Sequence, residues 1–223
     1  MDLNFFQSFL NSNAAPWLPS AASARWALHG AWAVVLAACV WRVGLSFELK
    51  WRWGLAALTL LWVLWPGSVS PAYWLGLAFQ SPSLMSVALC WAWAFQERPH
   101  WALASHAVPT LAWPDVVLMV VGTVLGWVLL GDMLAWWSVS VYALGFGTPV
   151  LALVCAVALW LGVAGGVGQR AVWSLVMVLL VFVVTRWPSG NLWDALLDPW
   201  LWLVLQIKGL ALLRQPRARS LRW

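Results

Sequence analysis

Seven apolar blocks, at about 26–45, 51–66, 72–95, 115–135, 141–164, 171–187 and 199–213, fill most of this 223-residue chain. A helix needs roughly 20 apolar residues to cross a bilayer core about 30 Å thick. In lipid, only helices and closed barrels satisfy their own backbone groups. The blocks therefore predict an all-α, polytopic transmembrane helix bundle of about seven spans. Composition agrees, since 64% of the residues are hydrophobic and 9% charged, against roughly 45–50% and 25% in soluble domains. The bundle is expected over 26–213, after an N-terminal external or interfacial segment, 1–25, and before a basic cytoplasmic tail, 214–223.

The separators are chemically distinct. "SFELKWR" is charged, "PGSVSP" holds two prolines, "QERPHWALASHAVPTLAWP" is polar and proline-rich, "GGVGQR" is glycine-rich, and "RWPSGNLWDALLDP" combines prolines with Asp194 and Asp198. The segment 1–25 has Asp2 and no base before Arg25, unlike the basic start of a cleavable leader. Its Leu3, Phe5, Phe6, Phe9 and Leu10 suit a membrane surface.

Orientation follows from the bases, because cytoplasmic loops retain Lys and Arg. With the N-terminus outside, only Arg25 and Arg186 of the 12 bases fall on the outer side. The tail arginines Arg214, Arg217, Arg219 and Arg222 then meet anionic headgroups, at about 1 kcal/mol each. The net charge of +5 is thereby explained with membrane lipids as partners and no nucleic acid. Arg outnumbers Lys, a bias expected of a GC-rich bacterial genome, so the expected location is a bacterial inner membrane.

Tryptophan, at 23 residues, fits two interfacial belts, where the indole body lies in lipid and its N–H faces water. Trp32, Trp62 and Trp127 fall inside spans and are the candidates for an aromatic-lined pocket. Cys39, Cys90 and Cys155 are dispersed within spans, and His29, His100 and His106 pair with no ligand spacing. No metal or cofactor is expected.

Small residues at spacing four let helices approach closely in lipid. Gly122 and Gly126 in the fourth block, and Ala158, Gly162 and Gly166 in the fifth, predict that these two spans pack on each other.

The third block carries "QSPS" at its centre. Pro82 removes a backbone donor and frees a carbonyl one turn earlier, so this span is either kinked, with its serines facing the bundle, or broken into two short helices of the kind that line transporter sites. Gln80, Ser81, Ser83 and Asp132 are the ligand or transport candidates. Arg186, Asp194 and Asp198 are the candidates for an outer docking surface. Asn191 or Asp194 can equally cap one helix start and Asp198 the next, with Pro199 opening the last helix.

No GxSG, HExxH, P-loop or dinucleotide fingerprint occurs. The expected function is a non-enzymatic subunit or assembly factor of a membrane complex, with other membrane subunits as partners. Two alternatives stay open: a small transporter or lipid carrier with a polar site at the third span, and an outer-face lipid-modifying enzyme built on Asp132, Asp194 and Asp198.

Overall fold

The structure, a computed structural model, describes residues 18–95, 112–165 and 170–214. The interfacial segment before Leu18, the loop bearing His100 and His106, Gly166 and the tail after Arg214 lie outside the described residues.

Every regular element among the described residues is helical. The helices are α1 (Ala21–Val43), followed by a 3-10 turn, α2 (Leu49–Leu64), α3 (Pro71–Phe79), α4 (Leu84–Ala94), α5 (Trp113–Met133), α6 (Val141–Leu144), α7 (Thr148–Gly165), α8 (Arg170–Thr185), α9 (Leu192–Leu196) and α10 (Pro199–Arg214). Three stretches are long and apolar enough to cross a membrane: Ala21–Ser46, Trp113–Met133 and Thr148–Gly165. They mark the chain as a membrane protein. Large apolar side chains stay exposed along α2, α5, α7, α8 and α10, as expected of helices solvated by lipid rather than water.

The first half packs α1 against α2, α3 and α4. Trp32 and Ala33 of α1 meet Val63 and Ala72 there. In the second half, α8 packs against α7, α5 and α9, and α10 lies along α5. Phe182, Leu179 and Val178 of α8 join Leu151, Ala158 and Leu192 in its core. The seam between the halves is α4, which touches α1 on one side and α8 and α9 on the other. Met85, one residue into α4, belongs to the second core, whereas Ala94, at its end, packs with Ala38 and Trp41.

The third apolar block is broken rather than kinked. α3 ends at Phe79 and α4 begins at Leu84, with Gln80 at φ +60°. Pro82 cannot donate a helical hydrogen bond and disfavours the helical region at Ser81. At roughly 1.5 Å per residue, the 11 residues of α4 rise only about 16 Å.

The fifth block also departs from a continuous span. Its start folds as the one-turn α6, and the chain bends at Gly145–Gly147 before α7 begins at Thr148 with Pro149 in its first turn. Glycine disfavours helix continuation and proline favours a fresh first turn.

The small-residue expectation needs a correction of partner. The Gly122 and Gly126 face of α5 is filled by α10: a Cβ at Gly122 would stand 2.8 Å from Leu205 Cδ1, and one at Gly126 would stand 2.7 Å from Trp202 Cγ. Trp202 is held there by a 3.1 Å hydrogen bond from its Nε1 to Thr123 O. The rigid indole of α10 needs a glycine opposite, a fact that lies in Trp202 and not in the glycine spacing. On α7, Ala158 is fully buried and Gly162 faces Val172 and Trp173 of α8.

These geometries make opposite forecasts for two glycines. Gly126→Ala is expected to cost ~1–3 kcal/mol by overpacking Trp202. Gly162→Ala, whose Cβ would find Val172 Cγ1 at 3.7 Å, is expected to be neutral or slightly stabilising through its helix propensity. Thermal unfolding of both variants in one detergent checks the pair, and equal effects would contradict the packing described.

Candidate functional site

The polar side chains singled out above gather in two places. The first is the break in the third block. Ser83 is fully buried and caps α4, its Oγ accepting from Ser86 N at 3.0 Å. Its own N–H donates to Asp198 Oδ2 at 2.8 Å. The other oxygen of Asp198 accepts from Leu201 N at 2.8 Å and so caps α10. One buried carboxylate thus serves the starts of two helices, where unpaired N–H groups and the helix dipole both favour a negative charge.

On the other side of the break, Trp32 Nε1 donates to Gln80 O at 2.9 Å. Ser81 Oγ reaches Pro82 O at 3.2 Å. The Gln80 side chain itself lies exposed, so Gln80 enters the break through its backbone. Trp32, Trp62 and Trp127 form no shared pocket. Trp32 is buried against the break, Trp62 donates to Val69 O, and Trp127 stacks edge-on against Trp202.

The second cluster lies where α5, α6 and α9 meet. Asp132 Oδ2 accepts from Tyr142 N at 2.7 Å and from Ser140 Oγ at 3.2 Å, tying the end of α5 to the start of α6. The Tyr142 hydroxyl donates to Asp194 Oδ2 at 2.7 Å, and Ser189 Oγ donates to the same carboxylate oxygen.

Beneath them Asn191 is fully buried. Its Nδ2 donates to Tyr142 O and its Oδ1 accepts from Trp193 N, both at 2.9 Å. Trp193 Nε1 donates to Val141 O, and Leu192 N to Gly145 O.

Tyr142 therefore links Asp132 to Asp194. Asp194 and Asp198 are four apart in sequence, a spacing that would share one face only in a continuous helix. Leu197 is extended between α9 and α10, and the two carboxylates serve different clusters. Arg186, at φ +56° just after α8, sets its guanidinium 5.2 Å from the centre of the Phe182 ring. Its neighbour Trp187 donates through Nε1 to Ser23 Oγ on the first turn of α1.

A third gathering was not anticipated from sequence, where Arg42 and Arg52 counted only among the bases of the inner side. Arg52 stacks over Trp41 with Cζ 4.1 Å from the ring centre, and Arg42 over Trp93 at 4.9 Å. Trp41 also meets Trp53 and Phe95 at 4.6 and 5.9 Å between centroids. The signal available was the repeated pairing of Arg with adjacent Trp in "VWRV" and "KWRW", which is meaningful only once α1 and α2 are known to be antiparallel neighbours. Lys50 pairs with Glu48 at 2.7 Å on the exposed surface, a contact worth little.

Among the described residues, no group of three or more His, Cys, Asp and Glu could hold a metal ion. A cleft of about 70 Å³ between α7 and α8 is lined only by apolar residues and cysteine. In the two acidic clusters each carboxylate faces backbone N–H or hydroxyl donors: Asp198 the amides of Ser83 and Leu201, Asp132 the Tyr142 amide and Ser140 hydroxyl, and Asp194 the hydroxyls of Tyr142 and Ser189. Protein-family models, curated proteins and solved structures offer no match to this chain.

Proposed function

We propose that this chain is a non-catalytic, multi-pass membrane subunit or assembly factor. Its seven apolar blocks thread the bilayer with the N-terminus outside and the basic tail in the cytoplasm, and the membrane is a bacterial inner membrane. The charge count supports that orientation, since one threading gathers ten of the 12 bases on a single side.

One observation carries the functional reading. Asp132, Ser83, Asn191 and Asp198, the polar groups most suited to bind a ligand, instead hold helix ends together. What this leaves outward is broad apolar surface with protruding tryptophans, which suits contact with lipid and with other membrane helices.

The broken third block favours a carrier as the second reading, because interrupted helices frame transport sites. In this chain, however, the backbone groups of Ser83 and Gln80 at the break are engaged by Asp198 and Trp32.

Purification of the tagged full chain in mild detergent tests the subunit reading. Stoichiometric membrane partners identified by mass spectrometry are expected. A partner-free chain of undiminished thermal stability would overturn it.

A further inference from the structure

α5 and α10 touch at two levels and then part. Leu205 packs on Gly122 and Trp202 on Gly126, so the two helices run antiparallel. The next level toward the end of α10 belongs to Gly209, four residues after Leu205 and seven after Trp202 on the same face. Among the described residues, no atom of another helix lies within 4 Å of the place a Cβ on Gly209 would take, and Leu213, one turn further, is 82% exposed. A fork therefore opens between the first turns of α5 and the last turns of α10.

Asp115 stands on the α5 side of this fork. It precedes Gly122 by seven residues and Gly126 by eleven, close to two and three whole helical turns, which sets its side chain on the face that meets α10. Its Oδ1 is buried and has no hydrogen-bond partner. Asp132, Asp194 and Asp198 are by contrast each engaged by two donors. A carboxylate oxygen shielded from water and left without a donor is unfavourable until one arrives. The side chain as a whole is half-buried, so a ligand can reach the carboxylate from the fork.

Two bases complete the pattern. Lys208 precedes Gly209 and Arg214 follows Leu213, both exposed, and the one ion pair among the described residues lies elsewhere, between Lys50 and Glu48. Met119, three residues before Gly122, and Leu213 give the fork apolar walls. One acid and two bases around an apolar opening match a ligand that carries a cation and an anion on an apolar body. A lysine from a partner helix would satisfy Asp115 and leave both bases unmatched. Of the common bilayer lipids, phosphatidylethanolamine fits: its ammonium offers N–H donors to both carboxylate oxygens, whereas phosphatidylcholine has no N–H and phosphatidylglycerol no cation.

We infer that the fork between α5 and α10 binds one phosphatidylethanolamine, its ammonium on Asp115 and its phosphate met by the long side chains of Lys208 and Arg214. The site is independent of the subunit reading and stands whether or not partners co-purify.

The test uses the full chain reconstituted into phosphatidylcholine vesicles that contain a trace of phosphatidylethanolamine with a photoactivatable group on one acyl chain. Parallel samples carry the same probe on phosphatidylcholine or phosphatidylglycerol, and cross-linked peptides are mapped by mass spectrometry. The ethanolamine probe is expected to label 115–122 and 205–214 about tenfold above the other two, the scale of one charge-assisted contact, with equal labelling by all three on the lipid-exposed face of α2 around Leu58 and Leu61. Asp115→Asn is expected to remove that excess and leave α2 labelling unchanged. Gly209→Leu, which fills the fork without touching the carboxylate, should remove it as well and serves alone where Asp115→Asn fails to reconstitute. Equal labelling of the fork by the three probes, or an excess that survives the filling change, overturns the inference. So does a carbodiimide cross-link from Asp115 to a lysine of a co-purifying protein when the three probes label alike, since the fork then serves a protein ligand.

Discussion

Asp198→Ala is expected to destabilise the protein by ~2–4 kcal/mol, the largest loss from any single side chain described above, because it strips a buried carboxylate from two helix starts at once. Ser83 N and Leu201 N lose acceptors held at 2.8 Å each. Ser83 is fully buried, so its amide finds no equivalent substitute, whereas Leu201 is only half-buried.

Asp198→Asn separates the two contributions. Its Oδ1 can still cap α10, whereas its amide nitrogen placed against the Ser83 N–H sets donor against donor. An intermediate loss is expected, concentrated at α4. Thermal unfolding in detergent reads the totals, and amide hydrogen exchange at Ser83 and Leu201 reads the distribution. If Asp198→Ala unfolds within about 0.5 kcal/mol of the parent chain, a value typical of a neutral surface change, the double cap is not a structural element.

Gly145→Ala is the second large effect. The backbone at Gly145 is ordinary, at φ −65°, so the constraint is space alone. A Cβ would overlap Asn191 Oδ1 and stand 2.6 Å from Trp193 Cδ1. Asn191 cannot retreat without breaking its bonds to Tyr142 O and Trp193 N, and the backbone is held by Leu192 N on Gly145 O at 2.9 Å. Overpacking together with a broken buried network predicts a loss of ~2–4 kcal/mol.

Because the clash and the network share Asn191, the effects should not add. In a double-mutant cycle, Gly145→Ala combined with Asn191→Ala is expected to cost less than the sum of the two single changes, the contact with Trp193 being what remains. Simple additivity would show that the glycine is not reading Asn191.

The order of apolar blocks was legible because it depends on local facts: run length, prolines and glycines. The boundaries of α1, α2, α5, α8 and α10 follow the blocks to within a few residues. The break at 80–83 was legible as one of two outcomes, since proline forbids continuation without dictating whether the chain bends or stops. Asp198 was legible as a cap, and Asn191 as one of two candidates beside Asp194, for the same local reason.

The partnerships of those residues were not. That the second oxygen of Asp198 would reach Ser83, 115 positions away, depends on α9 and α10 folding back toward α4. That Gly126 would face Trp202 depends on which helix lies beside α5. Spacing in one segment specifies a face and not the neighbour that covers it. Arg42 and Arg52 illustrate the same limit, since a cation needs an aromatic ring from another helix before it becomes anything more than a solvated charge.

The bond between Ser83 and Asp198 also has a meaning for biogenesis. During synthesis the middle of the chain reaches the lipid well before residue 198 has been made, and until then the start of α4 has no carboxylate to receive its amide. The interrupted segment can therefore settle only once the final helix arrives. A product cut short of residue 198 would leave the Ser83 amide at the start of α4 without this acceptor.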